Sequence, residues 1–231
     1  MRCLQIPPNA LDALEGALTL APADVLFISP DPNLAKPLRY GPQQQISSYS
    51  ASGQCFLSLE EASEETIRQS ITPYLHSNMT GVQSSFCNHG KDVARLDTIL
   101  SVLEAEAGLQ ERSLKIIVKL GRSSAAFLQA ETFKNASPRL VGLSWCETAF
   151  AQCLQARSVR DEAGKLLPPF AQAQSTCLFA ARNAQVLCYD SLPQPSSAKI
   201  DIAQLAHFSR LYGFNGMVAH SPAQLNLIPL P

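Results

Sequence analysis

Residues 114–120, LKIIVKL, predict a buried β-strand because the run is mostly apolar and rich in β-branched side chains. Gly121 ends the run, and residues 123–138 carry a helical pattern that opens on serine and stops at proline. Residues 141–145, VGLSW, predict a second short strand. Together the three segments predict a strand–helix–strand unit, which is typical of a parallel α/β fold.

The ends of these two strands supply the first candidate functional residues. In a parallel α/β fold, the residues that follow the carboxyl ends of the strands line the functional site. Arg122 follows the first strand, and the run CETA at residues 146–149 follows the second. We therefore expect Arg122, Cys146, Glu147 and Thr148 to lie near a site.

Several motifs resemble one known family. Residues 136–143, ASPRLVGL, are similar to the ASPRLAGL run of the citrate lyase beta subunit and its relatives, the HpcH/HpaI aldolase group. Other stretches resemble the same group in the correct order: 80–82 with 91–97, 180–184 with Asp190, 213–216 and 222–224. The resemblance extends over residues 25–228 and implies an α/β fold, a (β/α) barrel of the TIM type, formed by residues 1–231 as a single domain.

Two departures from the family predict an incomplete barrel. Residues 77–79 stand where the family has a whole strand and helix, and such a crossover needs about a dozen residues. The chain also ends seven residues after Gln224, where relatives continue through a final helix and a lid. We expect one βα unit and the C-terminal helix to be missing. Near the N-terminus, residues 9–20 have a helical pattern and residues 39–52 a loop composition.

The resemblance also implies a chemistry and raises a conflict with it. Members of the group cleave or form a carbon–carbon bond beside a keto acid or acyl thioester, with Mg²⁺ held by a Glu and an Asp. Alignment from the neighbouring motifs places Arg122 at the Glu and Ala149 at the Asp. Glu147 is the nearby carboxylate, and it reaches the Asp position only through a two-residue shift of register. We therefore expect no metal cofactor.

Three more residues are candidates by position, each with a structural alternative. Glu60 lies where the family shows DLED, although a carboxylate in a first helical turn also offsets the helix dipole. Asp190 matches a family Asp at a strand end, or is a cap or an Arg partner. His220 lies beside a family His, or is a hydrogen-bonded structural residue. The predicted catalytic residues are Arg122, Glu147 and Asp190, and the predicted substrate-binding residues are Glu60, Arg122, Cys146, Thr148 and His220.

Composition excludes several classes of function. The formal net charge is −1 and 16% of residues are charged, so we expect neither nucleic acid nor an anionic membrane surface as a partner. The seven cysteines are scattered singly, which is typical of reduced thiols. The N-terminus lacks a signal-peptide pattern and no apolar run approaches ~18 residues, so the cytoplasm is the expected location.

Two functions remain open. The first is a pseudoenzyme or metal-free protein that binds a small carboxylate or an acyl-CoA, because the metal and substrate residues of the family are replaced. The second is a divergent carbon–carbon lyase of the aldolase or citryl-CoA lyase type, acting on a keto acid or acyl-CoA with Arg122 in place of the metal. An incomplete barrel exposes strand edges, so we also expect a homo-oligomer or a complex with a fuller-length relative.

Overall fold

Eight parallel strands form a closed barrel in the computed structural model, which describes residues 1–6, 23–29, 53–77, 79–194 and 201–229. Each strand pairs with the next in the sequence, and the first pairs with the last. This is the predicted TIM-type (β/α) barrel. The strands are β1 Arg2–Ile6, β2 Val25–Ile28, β3 Gln54–Leu59, β4 Gly81–Ser84, β5 Lys115–Leu120, β6 Leu140–Trp145, β7 Leu187–Ser191 and β8 Gly216–Ala219.

Helices cover the outside of the barrel. Their apolar faces pack on the outward side chains of the strands, as Ile67 and Ile71 do from the first described helix. No helix in the described segments is both long and apolar enough to cross a membrane. The helices are α1 Glu64–Ile71, α2 Gly90–Glu106, α3 Ser124–Leu128, α4 Glu147–Leu154, α5 Pro168–Ala184, α6 Ile202–Tyr212 and α7 Pro222–Leu227, with short 3-10 turns at Thr72–Tyr74 and Ala130–Phe133.

Strand alternation divides the core into two parts. In β5, Ile116 and Val118 belong to the large cluster between strands and helices, while Ile117 belongs to a smaller cluster inside the barrel. Successive side chains of a strand point to opposite faces, so Lys119 shares the inward face with Ile117. An apolar inner layer therefore lies beneath a polar layer at the carboxyl ends of the strands.

The prediction of an incomplete barrel is wrong. β1 closes the barrel as one of its eight strands, because it pairs with β2 on one side and with β8 on the other. Residues 79 and 80 come just before β4, and β4 pairs with β3, so the sheet has no gap there. A short helix, α7, also follows β8 and contacts both β8 and β1. The open edge that motivated self-association does not exist, and association stays a prediction without that support. The residues predicted as helix 9–20 and loop 39–52 lie outside the described residues.

A buried ion-pair network explains the ASPRL motif. The guanidinium of Arg139 is fully buried and donates to both Glu104 carboxylate oxygens at 2.7 Å, and also to Asp97. Glu104 further accepts the backbone N–H of Leu114 at 2.8 Å. Burial alone would raise the pKa of Glu104, but Arg139 and the backbone donors outweigh it and lower the pKa. The motif thus fixes β6 to α2 and to the start of β5, and it lies away from the carboxyl ends of the strands.

Candidate functional site

A cavity of about 320 Å³ opens at the carboxyl ends of the strands, where (β/α) barrels place their sites. We call it the mouth cavity. Nine of the side chains around it are polar or carry a thiol, and the apolar inner layer contributes Val218 below them. The lining residues are Gln5, Ser29, Gln83, Lys119, Ser144, Trp145, Cys146, Ser191, Gln194, Val218 and His220.

A chain of hydrogen bonds fixes one wall of the mouth cavity. Gln5 Nε2 donates to Ser58 Oγ at 3.0 Å, and Ser58 Oγ donates to Gln83 Oε1 at 3.1 Å. Gln83 Nε2 then lies 3.4 Å from Ser144 Oγ. These residues come from β1, β3, β4 and β6, and each bond satisfies a polar group that burial would otherwise penalise. The wall is therefore set in position before any ligand binds.

Lys119 is the ammonium group that lines the mouth cavity within the described part of the chain. Its side chain is 18% exposed, and its Nζ lies 3.1 Å from Glu60 Oε1 at the rim. The sequence prediction did not include this residue. A signal was present in LKIIVKL, because alternation from the buried Ile117 points Lys119 into the barrel.

Glu60 and Arg122, both predicted substrate-binding residues, form a rim cluster with Lys119. Arg122 Nη1 lies 3.0 Å from Glu60 Oε2 and also donates to the Glu60 backbone carbonyl. Ser85 Oγ donates to the same carboxylate at 2.7 Å. Burial would raise the pKa of Glu60, but Lys119, the Ser85 hydrogen bond and Arg122 together lower it. Arg122 is about half exposed and does not line the mouth cavity.

His220, a predicted substrate-binding residue, lines the mouth cavity. Its Nε2 lies 3.0 Å from the carbonyl oxygen of Leu192. A carbonyl oxygen only accepts, so Nε2 carries the hydrogen. Burial lowers the pKa of His220, and the positive charge of Lys119 lowers it further despite the hydrogen bond to Leu192. The ring is therefore neutral at pH 7, with its lone pair on Nδ1.

The residues that follow β6 line two different cavities. Cys146 lines the mouth cavity, whereas Glu147 and Thr148 line a separate cavity of about 570 Å³ between α4 and α6. Glu147 is buried, and its Oε2 accepts from Arg160 Nη2 at 2.7 Å. Burial raises the pKa of Glu147 in spite of the attraction of Arg160. The structure thus separates Glu147 from Arg122 and His220.

Asp190 lies behind the sheet and not in the mouth cavity. It is buried, and its Oδ1 accepts from Trp145 Nε1 at 2.7 Å and from the Ser191 N–H at 2.9 Å. Gln174 Nε2 donates to Oδ2 at 2.9 Å. Burial raises the pKa of Asp190 although these hydrogen bonds oppose the rise. The contacts match the structural alternative, in which the carboxylate ties β7 to β6 and α5.

The residues that the structure describes at the mouth do not fit Mg²⁺. Mg²⁺ prefers several hard anionic oxygen ligands, but Glu60 is the carboxylate beside the mouth cavity in the described residues and it is already paired with Lys119 and Arg122. Nowhere in the described segments do three His, Cys, Asp or Glu side chains gather closely enough to hold a metal ion. Arg122 and Ala149, which align with the two metal ligands of the family, carry a guanidinium and a methyl group.

The architecture and its mouth define the class: a parallel (β/α) barrel with a preformed polar site at the strand ends. Solved structures of two enzymes share this fold. The citrate lyase beta subunit of Mycobacterium tuberculosis complexed with oxaloacetate and magnesium aligns with a TM-score of 0.74 at 15% identity, over 98% of this chain and 93% of that one. The Haloferax volcanii malate synthase magnesium/glyoxylate complex aligns with a TM-score of 0.72 at 19% identity, over 99% and 75%.

These comparisons confirm the fold that the sequence resemblance predicts. The chain has the fold of the citrate lyase beta subunit and malate synthase structures. No protein-family model matches the sequence, and no characterised protein matches it by sequence. At these identities the likeness establishes the fold alone, so the function is argued from the site.

Proposed function

We propose that the mouth cavity binds a small carboxylate without a divalent metal. The observation that carries the proposal is the position of Lys119, which places an ammonium group at a small cavity lined by amide and hydroxyl groups. An ammonium group together with amide and hydroxyl donors is suited to an anion.

The charges at the rim favour the same ligand. Two cations, Lys119 and Arg122, share the single carboxylate of Glu60, so the cluster carries a formal charge of +1. Arg122 binds one carboxylate oxygen, Oε2, and Lys119 binds the other, Oε1. A carboxylate ligand is attracted to Lys119, and Glu60 remains paired with Arg122. Arg122 then acts as a positioning residue at the rim and Lys119 as the binding residue.

Small oxo acids are the first ligands to test. The citrate lyase beta subunit that shares this fold is complexed with oxaloacetate, and the malate synthase with glyoxylate. Both ligands are compact carboxylates, and a cavity of about 320 Å³ has the size for a molecule of this kind. The proposal does not include the family's metal chemistry, because the described residues at the mouth lack the group of donors that Mg²⁺ needs.

Thermal unfolding with and without ligand tests this function. The wild-type protein in excess EDTA should be stabilised by oxaloacetate, malate or pyruvate in a concentration-dependent way. Lys119→Met should lose this response, whereas Lys115→Met, on the same strand at the opposite end of the barrel, should keep it. Stabilisation that requires added Mg²⁺, or that survives in Lys119→Met, would contradict the proposal.

A further inference from the structure

Lys119 is a primary amine largely shielded from solvent beside a cavity sized for an oxo acid. Its Nζ bonds to Glu60 Oε1, and the same carboxylate is held by Arg122 through its other oxygen. If Lys119 loses a proton, Glu60 therefore keeps a cationic partner and is not left as an uncompensated carboxylate. An amine that can lose its proton without leaving an unpaired partner is suited to nucleophilic chemistry.

His220 supplies a proton acceptor at the same cavity. Its Nε2–H is committed to the Leu192 carbonyl, which fixes the tautomer and leaves the lone pair on Nδ1. Nδ1 makes no hydrogen bond with the described residues. His220 and Lys119 both line the mouth cavity, and the lowered pKa of His220 keeps its Nδ1 lone pair unprotonated at pH 7. A neutral imidazole beside an ammonium group is a base placed to receive its proton.

We propose that Lys119 captures the carbonyl carbon of a 2-oxo acid as a covalent imine, with His220 as the base that relays the proton. This inference rests on the proposed function, because the ligand's carboxylate must first bind at the mouth cavity. It adds a covalent step, assigned to Lys119 Nζ, that simple carboxylate binding does not require.

The step balances without any further reactant. The Lys119 ammonium gives one proton to His220 Nδ1, and the amine lone pair forms a C–N bond to the carbonyl carbon. The carbonyl π pair moves to oxygen, and one proton passes from the newly bonded nitrogen to this oxygen to give a carbinolamine. The nitrogen lone pair then forms the C=N bond as the hydroxyl leaves with the proton from His220 as water. One ammonium and one ketone become one iminium and one water, with the charge unchanged.

The resulting iminium supplies the electron withdrawal that the alternative function, a carbon–carbon lyase, requires. A protonated imine withdraws electrons from the adjacent carbon, which is the role that the family assigns to a metal ion. Carbonyl capture by Lys119 is therefore consistent with a carbon–carbon lyase mechanism that uses no Mg²⁺, since the described residues at the mouth do not fit that ion. The proposal itself is limited to the capture step.

Reductive trapping tests the proposal. The intact protein is incubated with pyruvate and cyanoborohydride in excess EDTA and analysed by mass spectrometry. The expected product is a single adduct whose mass increase equals pyruvate minus one oxygen atom, and peptide mapping should place it on Lys119. Lys119→Arg keeps a cation but has no amine, so it should give no adduct. His220→Gln should slow adduct formation at least tenfold, since general base catalysis typically contributes a factor of about 10²–10⁴.

The outcomes separate this inference from the proposed function. Lactate, which has the same carboxylate but no carbonyl, should stabilise the wild-type protein and give no adduct. Stabilisation by pyruvate and lactate with no trapped adduct would overturn the imine and leave carboxylate binding intact. Absence of any stabilisation by either ligand would overturn both. An adduct located on other lysines, or one that persists in Lys119→Arg, would also overturn the assignment to Lys119.

Discussion

Glu60 and Lys119 form an ion pair at the rim of the mouth cavity, with Glu60 Oε1 3.1 Å from Lys119 Nζ. In the proposed binding mode, the Glu60 carboxylate therefore competes with the carboxylate ligand for Lys119. The side chain of Glu60 is 49% exposed, so the pair is weak, about 0.2–1 kcal/mol. The sequence predicted Glu60 as a substrate-binding residue, whereas in the proposed binding mode its carboxylate opposes an anionic ligand.

Removing the competing charge should strengthen binding. Glu60→Gln should raise the affinity for oxaloacetate by roughly 2- to 5-fold, which corresponds to an exposed ion pair. Calorimetric titration measures the change, and Glu61→Gln, at the exposed neighbouring residue, is the matched control. Weaker binding in Glu60→Gln would mean that Glu60 itself contacts the ligand, as the sequence resemblance implied.

Stability should depend on the protonation of His220. The folded-state pKa of His220 lies below its ordinary value of 6.5, so the unfolded chain takes up this proton first as the pH falls. The contribution of His220 to stability is present above pH 6.5 and is lost as the pH falls from there toward the folded-state pKa. Urea unfolding of wild type and His220→Gln should show their difference shrinking by at most about 1.4 kcal/mol per pH unit.

The Arg139 network should be essential for stability. Arg139→Met leaves the buried Glu104 carboxylate without its guanidinium partner, and breaking a buried pair typically costs about 3–5 kcal/mol. Denaturant unfolding measures the loss, with Arg95→Met on the exposed side of α2 as the control. A loss below about 1 kcal/mol would show that the backbone donors to Glu104 suffice without Arg139.

The closure of the barrel predicts slow amide exchange in β1. Residues in Arg2–Ile6 pair with both β2 and β8, so their amides should exchange as slowly as those of the central strand Lys115–Leu120. Hydrogen exchange followed by mass spectrometry measures this. Rapid exchange in β1 would mean an open edge between β8 and β2, and the original reason to expect self-association would return.

Strands were predicted from the sequence where apolar residues alternate or form a continuous run, whereas β1 was not predicted. Residues 114–120 and 141–145 are mostly apolar runs, and each coincides with a strand to within one residue. Arg2–Ile6 has the sequence RCLQI, in which a cation and a glutamine interrupt the apolar residues. Gln5 is polar because it lines the mouth cavity, so a functional position obscured the structural pattern.

Strand alternation explains why the predicted site residues do not all lie at the mouth cavity. Residues at the end of a strand alternate between the barrel interior and the helix layer, so a one-residue difference moves a side chain from the site to the core. Tyr189 and Ser191 face inward, and Asp190 between them faces the helices. The partner of Glu147 is Arg160, thirteen residues away in a loop, and no local pattern indicates that pairing.

The central claim is that Lys119 binds a small carboxylate at the mouth of the barrel without a metal. Isothermal titration of oxaloacetate in excess EDTA tests it most directly, with wild type, Lys119→Met and Lys115→Met compared. We expect saturable binding near one ligand per chain, weakened at least tenfold in Lys119→Met, since a hydrogen bond to a charged group contributes about 1.5–3 kcal/mol. Equal affinity in wild type and Lys119→Met, or binding that appears only when Mg²⁺ replaces EDTA, would contradict the account.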